Sequence, residues 1–138
     1  MKKLISFLTT LLLFYFSATA QSKEQKIVFD FTKPDTADYR FMVLQINNVL
    51  KEAPYTKIEV VCSGPGLFML VNDKTNVKSE IAELQKAFNV NFAACNNSMR
   101  RLMVDKSQLI PQANVVPVAL LELSAKQQDG WSYIKAGR

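Results

Sequence analysis

The chain has 138 residues, of which 49% are hydrophobic and 21% charged, a length that suits one globular domain and not two. It contains no histidine, which excludes Ser-His-Asp and Cys-His catalysis and every histidine-containing metal site. The formal net charge of +5 comes from dispersed basic residues, with Arg100-Arg101 the only adjacent pair beyond the first three residues. Such a dispersed charge does not predict a nucleic-acid partner.

The first 20 residues have the pattern of a cleavable secretory signal peptide. A basic start and an apolar run over residues 4–16 precede Ala18-Thr19-Ala20, which fits the small-x-small rule of signal peptidase. The apolar run is too short to span a membrane, which takes about 20 residues. We predict that the mature protein begins at Gln21 and is periplasmic or secreted. Residues 21–138 are expected to form a single domain with no membrane segment.

Predicted strands and helices alternate along the mature chain. Apolar runs predict strands over residues 26–31, 58–62, 91–94, 114–116 and 131–135, the third of them running into Cys95. Apolar residues at helical spacing predict helices over residues 38–51, 76–88, 98–104 and 117–129, and a short helical turn over residues 67–71. Asn76 is expected to cap the second helix, Asn96 or Asn97 the third, and Pro117 to lie in the first turn of the fourth. This alternation predicts a parallel sheet with helices on both faces, and chemistry at the carboxyl ends of its strands.

Familiar cofactor and metal motifs are absent from the sequence. The glycine loop Gly64-Pro65-Gly66 matches neither G-x-G-x-x-G nor G-K-[ST], and its proline lacks an N–H that a phosphate cradle would use. The two cysteines, Cys62 and Cys95, are too far apart for the usual zinc spacing, and carboxylates do not cluster. We therefore predict no cofactor and no metal.

Cys95 is the strongest candidate for a chemical centre. It lies where a predicted strand ends and a helix begins, and a helix N-terminus favours the thiolate over the thiol. Arg100 and Arg101 follow within about two helical turns and would add positive field. A thiolate is the form that attacks sulfur and carries it as a persulfide. The alternative is a small buried apolar side chain, which is the usual role of a free cysteine.

Several segments resemble the DsrE/DsrF-like family. Residues 60–66, Val-Val-Cys-Ser-Gly-Pro-Gly, are similar to its strand and glycine loop, and residues 91–99, Asn-Phe-Ala-Ala-Cys-Asn-Asn-Ser-Met, resemble the motif around its cysteine. Asn48-Val49-Leu50 and Val116-Pro117 also fit, so the resemblance spans nearly the whole mature chain in order. It implies a three-layer α/β/α fold with a five-stranded parallel sheet, commonly assembled as homo-oligomers.

The resemblance also implies a sulfur-relay function with a sulfur-donor or sulfur-acceptor protein as partner. Cys95 matches the family's sulfur-carrying cysteine, so an active protein would be sulfurtransferase-like. The supporting residues expected around it are Gly64, Pro65, Gly66, Asn48, Asn97 and Arg100. The alternative is a non-enzymatic binding or assembly module of the same fold, with structural or buried cysteines.

Cys62 is a candidate second thiol. The family's sheet places the second and third strands side by side, so the resemblance implies that Cys62 and Cys95 come close if the register allows. Three interpretations then stay open. They are a structural disulfide, a reversible pair in which Cys62 is the resolving thiol, and a lone, free Cys95, which we favour.

Overall fold

A computed structural model describes residues 24–137 of the chain. The predicted signal peptide lies outside the described residues. The strands are β1 (Lys26–Phe31), β2 (Lys57–Cys62), β3 (Val90–Cys95), β4 (Ala113–Val116) and β5 (Ser132–Lys135). The helices are α1 (Thr36–Glu52), α2 (Lys78–Ala87), α3 (Asn96–Arg101) and α4 (Ala119–Gln128), with 3-10 helices at Gly64–Leu70 and Lys106–Gln108.

The five strands form one sheet in the order β4-β3-β2-β1-β5, and every neighbouring pair is parallel. Phe31 lies opposite Cys62, and Cys62 lies opposite Ala94. The carboxyl ends of β1, β2 and β3 therefore meet at one edge of the sheet. The predicted five-stranded parallel sheet is confirmed.

Helices cover both faces of this sheet. Side chains of one face, including Phe29, Val60 and Phe92, pack with α1, α2 and the 3-10 helix Gly64–Leu70 in the larger hydrophobic core. The opposite face is covered by α4, and its smaller core holds Val28, Val61, Ala93, Cys95, Ala119 and Leu123. Since successive strand residues point to opposite faces, the continuous apolar runs of β1 to β3 are explained by burial on both sides. The predicted three-layer α/β/α architecture is confirmed.

The segment after Cys95 differs from the prediction at both ends. The helix α3 begins at Asn96, so Cys95 itself, and neither asparagine, is the N-cap residue. The helix ends at Arg101 and not at Val104, because the chain reverses into a left-handed conformation at Met103, where φ is 56°. The Val104 N–H then returns to the Met99 carbonyl at 2.9 Å, as in a Schellman motif.

Two other helix starts are corrected. The residue before α2 is Val77, so the predicted cap Asn76 lies one position too early. Pro117 lies outside α4, which begins at Ala119 after the N-cap Val118. The reason lies in a contact between segments, since the Pro117 carbonyl accepts a hydrogen bond from the Asn97 N–H at 3.3 Å and stays beside the start of α3.

Candidate functional site

Cys95 lies at the carboxyl edge of the sheet, between the starts of two helices. It is the last residue of β3, opposite Val116 of β4, and its side chain points to the face that α4 covers. Its Sγ atom accepts a hydrogen bond from the backbone N–H of Ala119, the first residue of α4, at 3.3 Å. The residue is only 3% exposed, so the thiol is covered by the first turn of α4.

The hydrogen bonds around Cys95 favour its ionised form. Burial raises the pKa of the thiol, but the Ser98 hydroxyl and the backbone N–H groups of Ser98, Ala119 and Asn97 lower it, and the net pKa is below that of an ordinary thiol. The hydrogen bond that the geometry gives the sulfur comes from Ala119 at the start of α4, where N–H groups have no partner inside the helix, whereas Cys95 makes no side-chain cap hydrogen bond to α3. The site therefore stabilises negative charge on sulfur through the Ala119 N–H.

Ser98 joins the first turn of α3 to the glycine loop. The Gly64 N–H donates to Ser98 Oγ at 2.9 Å, and Ser98 is buried. Sequence reasoning missed both Ser98 and Ala119 as site residues. Ser98 carried a weak signal, because a serine three positions after a helix N-cap lies in the first turn. Ala119 carried none, since it lies 24 residues from Cys95.

The three residues of the glycine loop have different roles. Gly64 has a φ of +52°, which favours glycine, and it reaches the site through its N–H. A Cβ on Gly66 would lie 2.4 Å from the carbonyl oxygen of Phe31, so Gly66 is required for close packing of the loop against β1. Pro65 is exposed in the first turn of the 3-10 helix.

The other predicted site residues are placed differently. Arg100 donates to the Asn97 side-chain oxygen at 3.3 Å, which brings these two residues together at the exposed surface of α3. The backbone N–H of Asn97 donates to the Pro117 carbonyl at 3.3 Å. Asn48 lies on α1 beside Gln25 and Thr56, at the amino ends of β1 and β2, and the structure does not bring it to Cys95.

Cys62 is separated from Cys95 by the sheet. It lies opposite Ala94, the residue before Cys95, and it packs in the larger core on the other face. Both thiols are free and buried. Burial, and secondarily the charge of Asp30, raises the pKa of Cys62 far above that of an ordinary thiol. The two cysteines are therefore chemically opposite, one stabilised as a thiolate and one as a thiol.

Within residues 24–137, no group of three or more histidine, cysteine, aspartate or glutamate side chains is placed to hold a metal ion. In the same part of the chain, no helix has both the length and the apolar character needed to cross a membrane.

The fold and the cysteine at the end of β3 define a small parallel α/β protein with a hydrogen-bonded thiol at the carboxyl edge of its sheet. Residues 25–136 match the model of the DsrE/DsrF-like family, and the chain belongs to that family. This confirms the predicted resemblance. None of the curated proteins matches the chain.

Two solved structures are similar in fold. The protein of unknown function MTH1491 from Methanobacterium thermoautotrophicum is 25% identical, with a TM-score of 0.76, and the match covers 81% of this chain and 99% of that one. The conserved protein of unknown function BT1422 from Bacteroides thetaiotaomicron is 16% identical, with a TM-score of 0.62 and coverage of 85% and 99%. Both similarities span essentially the whole of those proteins.

Proposed function

We propose that this protein is an exported sulfur-relay protein that carries sulfur as a persulfide on Cys95. Membership of the DsrE/DsrF-like family supports a relay function of this kind. The observation that carries the proposal to Cys95 is the hydrogen bond from the Ala119 N–H to its Sγ atom at 3.3 Å, which favours the nucleophilic thiolate.

The proposed relay has two displacement steps. The Cys95 thiolate attacks the outer sulfur of a donor persulfide, a new S–S bond forms on Cys95, and the donor leaves as a thiolate. An acceptor thiolate then attacks the outer sulfur on Cys95, which leaves as the original thiolate. Each step breaks one S–S bond and forms another, so no external oxidant or reductant is needed.

The burial of both thiols favours a second candidate function. Cys62 is 0% and Cys95 3% exposed, as expected for a binding or assembly module whose cysteines only fill the core. The relay requires the first turn of α4 to move or a partner to open it. A binding or assembly module requires no such movement, and in it Cys95 would stay unreactive while the fold is intact.

Sulfur loading distinguishes these two functions. The reduced wild type, Cys62→Ala and Cys95→Ala are each incubated with glutathione persulfide, and their intact masses are measured. The relay function predicts that the wild type and Cys62→Ala gain one sulfur atom and that Cys95→Ala gains none. If all three folded proteins keep their original mass, the module function is supported and the relay is rejected.

Export and assembly are also part of the proposal. The Ala18-Thr19-Ala20 motif supports cleavage before Gln21, so N-terminal sequencing of the exported protein should begin there. An exported protein that retains Met1 would contradict this.

Leu120 and Leu121 are 75% and 66% exposed on α4, and this apolar surface supports a homo-oligomer, which light scattering would detect as a multiple of the chain mass.

A further inference from the structure

The first turn of α4, residues 119–122, covers the candidate thiol. Its Ala119 N–H donates to Cys95 Sγ at 3.3 Å, and Ala119 is the one buried residue of this turn. We infer that the turn is a flap, the α4 flap, which opens locally to admit a sulfur donor to Cys95 while the rest of the fold stays intact. The inference deepens the proposed function and rests on it for the nature of the molecule admitted.

The side chains of the α4 flap contribute little packing to the fold. Leu120 and Leu121 are largely exposed, so little apolar surface is uncovered when the turn opens. Ala119 offers only a methyl group to the smaller core, and the other buried residue of the helix is Leu123, one position beyond the flap. The contact of Leu123 with the sheet can therefore stay in place while the turn before it unwinds.

The helix start above the thiol lacks a side-chain cap. Its N-cap residue is Val118, which is extended (φ −144°, ψ 123°) and makes no side-chain cap hydrogen bond. Serine, threonine, aspartate and asparagine stabilise this position, whereas valine is among the poorest residues there. The N–H groups of Leu121 and Glu122 both donate to the Val118 carbonyl, so the turn is closed by backbone hydrogen bonds of its own. A turn without a side-chain cap opens more easily than a capped one.

The chain on either side of the α4 flap is anchored. In the last turn of α4, the Lys126 ammonium pairs with Glu59 of β2 at 2.7 Å. Before the flap, the Pro117 carbonyl accepts a hydrogen bond from the Asn97 N–H at 3.3 Å. Neither contact involves the flap itself, so both can persist when it opens. Opening of this turn should therefore cost less free energy than unfolding of the whole domain.

The first experiment adds a cap to the flap. Val118→Thr keeps the branched shape of valine and supplies a hydroxyl that can accept from the N–H groups of the first turn. It should slow the modification of Cys95 by N-ethylmaleimide in the reduced native protein by about 2- to 30-fold, the range expected for gaining an N-cap. Val118→Ala is the matched control, because it changes the same residue without supplying a hydroxyl, and it should not slow the reaction. An equal rate in the wild type and folded Val118→Thr overturns the inference.

Cys62 reports in the same experiment whether the whole protein unfolds. It is fully buried in the larger core on the other face of the sheet, so its thiol becomes accessible only when the fold is lost. Peptide mapping by mass spectrometry gives the rates of the two cysteines separately. Cys95 should react much faster than Cys62 in the wild type. If Cys95 is modified only as fast as Cys62, the thiol is reached by global unfolding and the inference is wrong.

Hydrogen exchange in the wild type tests the opening without a substitution, and it decides the matter if Val118→Thr does not fold. The Ala119 N–H is protected by its bond to sulfur. The Ile58 N–H of β2 donates to the Asn89 carbonyl at 3.0 Å and reports on the sheet. After correction for intrinsic exchange rates, the Ala119 amide should exchange at least about tenfold faster than the Ile58 amide. Equal protection of the two amides overturns the inference.

The inference and the proposed function fail in different ways. If Val118→Thr slows the reaction with N-ethylmaleimide but the wild type takes up no sulfur from glutathione persulfide, the flap covers a thiol that is not a sulfur carrier. If the wild type loads sulfur on Cys95 and Val118→Thr reacts with N-ethylmaleimide at the wild-type rate, the relay stands and the flap is wrong.

Discussion

Lys126 on α4 lies 2.7 Å from Oε2 of Glu59 on β2, and this ion pair ties the helix that donates to Cys95 to the middle of the sheet. The same ammonium lies 4.5 Å from the centre of the Trp131 ring, just before β5. Glu59 is buried, at 6% exposure, so its carboxylate depends on Lys126 for compensation. This side chain thereby joins the last turn of α4, the helix whose start covers the candidate site, to β2.

Removing this ammonium should destabilise the protein. Lys126→Met keeps most of the apolar stem but leaves Glu59 as a buried carboxylate without its cation, so the free energy of unfolding should fall by about 1–3 kcal/mol. Urea denaturation measures the change. Lys86→Met, at an exposed position in the last turn of α2, is the control and should cost less than about 0.5 kcal/mol. Equal stability of the two variants would contradict the structural role of Lys126.

The protonation of Glu59 should make stability depend on pH. Burial raises the pKa of Glu59 above its ordinary value of 4.5, although its hydrogen bond to Lys126 opposes this. The folded state then binds a proton more tightly than the unfolded chain. The resulting contribution to stability is fully present below pH 4.5 and is lost as pH rises through the folded-state pKa.

Glu59→Gln tests this sign, because glutamine does not titrate. The free energy of unfolding of the wild type minus that of Glu59→Gln should be largest below pH 4.5 and should decrease as pH rises. Denaturation curves collected across this range give the difference directly. If this difference in the free energy of unfolding grows with pH, the attraction between Glu59 and Lys126 outweighs the effect of burial on the Glu59 pKa.

The sequence predicted the strands and helix starts that depend on local residue patterns. The apolar run of β1 predicted a strand buried on both faces, the apolar run of β2 predicted a strand, and the strand-to-helix junction predicted Cys95 at a helix start. Local patterns could not predict the hydrogen bond between Gly64 and Ser98 or the one between Ala119 and Cys95, because these contacts join residues 34 and 24 positions apart. The left-handed residue Met103, which ends α3 early, has no local signal, since glycine or asparagine usually takes that conformation.

The close approach of Gly66 to β1 gives a prediction about the glycine loop. A methyl group at this position would lie 2.4 Å from the Phe31 carbonyl oxygen, a backbone atom that cannot rotate away. Gly66→Ala should therefore reduce the free energy of unfolding by about 1–3 kcal/mol, measured by urea denaturation. Pro65→Ala changes an exposed neighbour and should have a much smaller effect. A Gly66→Ala protein as stable as Pro65→Ala would show that the loop adjusts freely.

The two thiols should differ in reactivity. The hydrogen bonds to Cys95 lower its pKa, whereas burial raises that of Cys62. In the reduced native protein, iodoacetamide should therefore modify Cys95 at a pH below that needed for an ordinary thiol, while Cys62 reacts only after unfolding in urea. Peptide mapping by mass spectrometry identifies the modified residue. Modification of Cys62 first, with the fold intact, would contradict the assignment of Cys95 as the stabilised thiolate.

The positions of Cys62 and Cys95 on opposite faces predict that the native protein forms no disulfide between them. Cys62 lies opposite Ala94, so a bond to Cys95 would require β2 and β3 to slip by one residue, which would turn buried side chains to the wrong face. The melting temperature of the wild type should therefore be the same under oxidising and reducing conditions, and Cys62→Ala should respond no differently. A structural bond would behave otherwise, because closing a loop of about 34 residues is worth on the order of 3–4 kcal/mol. A fall of many degrees on reducing the wild type, absent in Cys62→Ala, would show that the strands pair in another register and that Cys95 is not a free sulfur carrier.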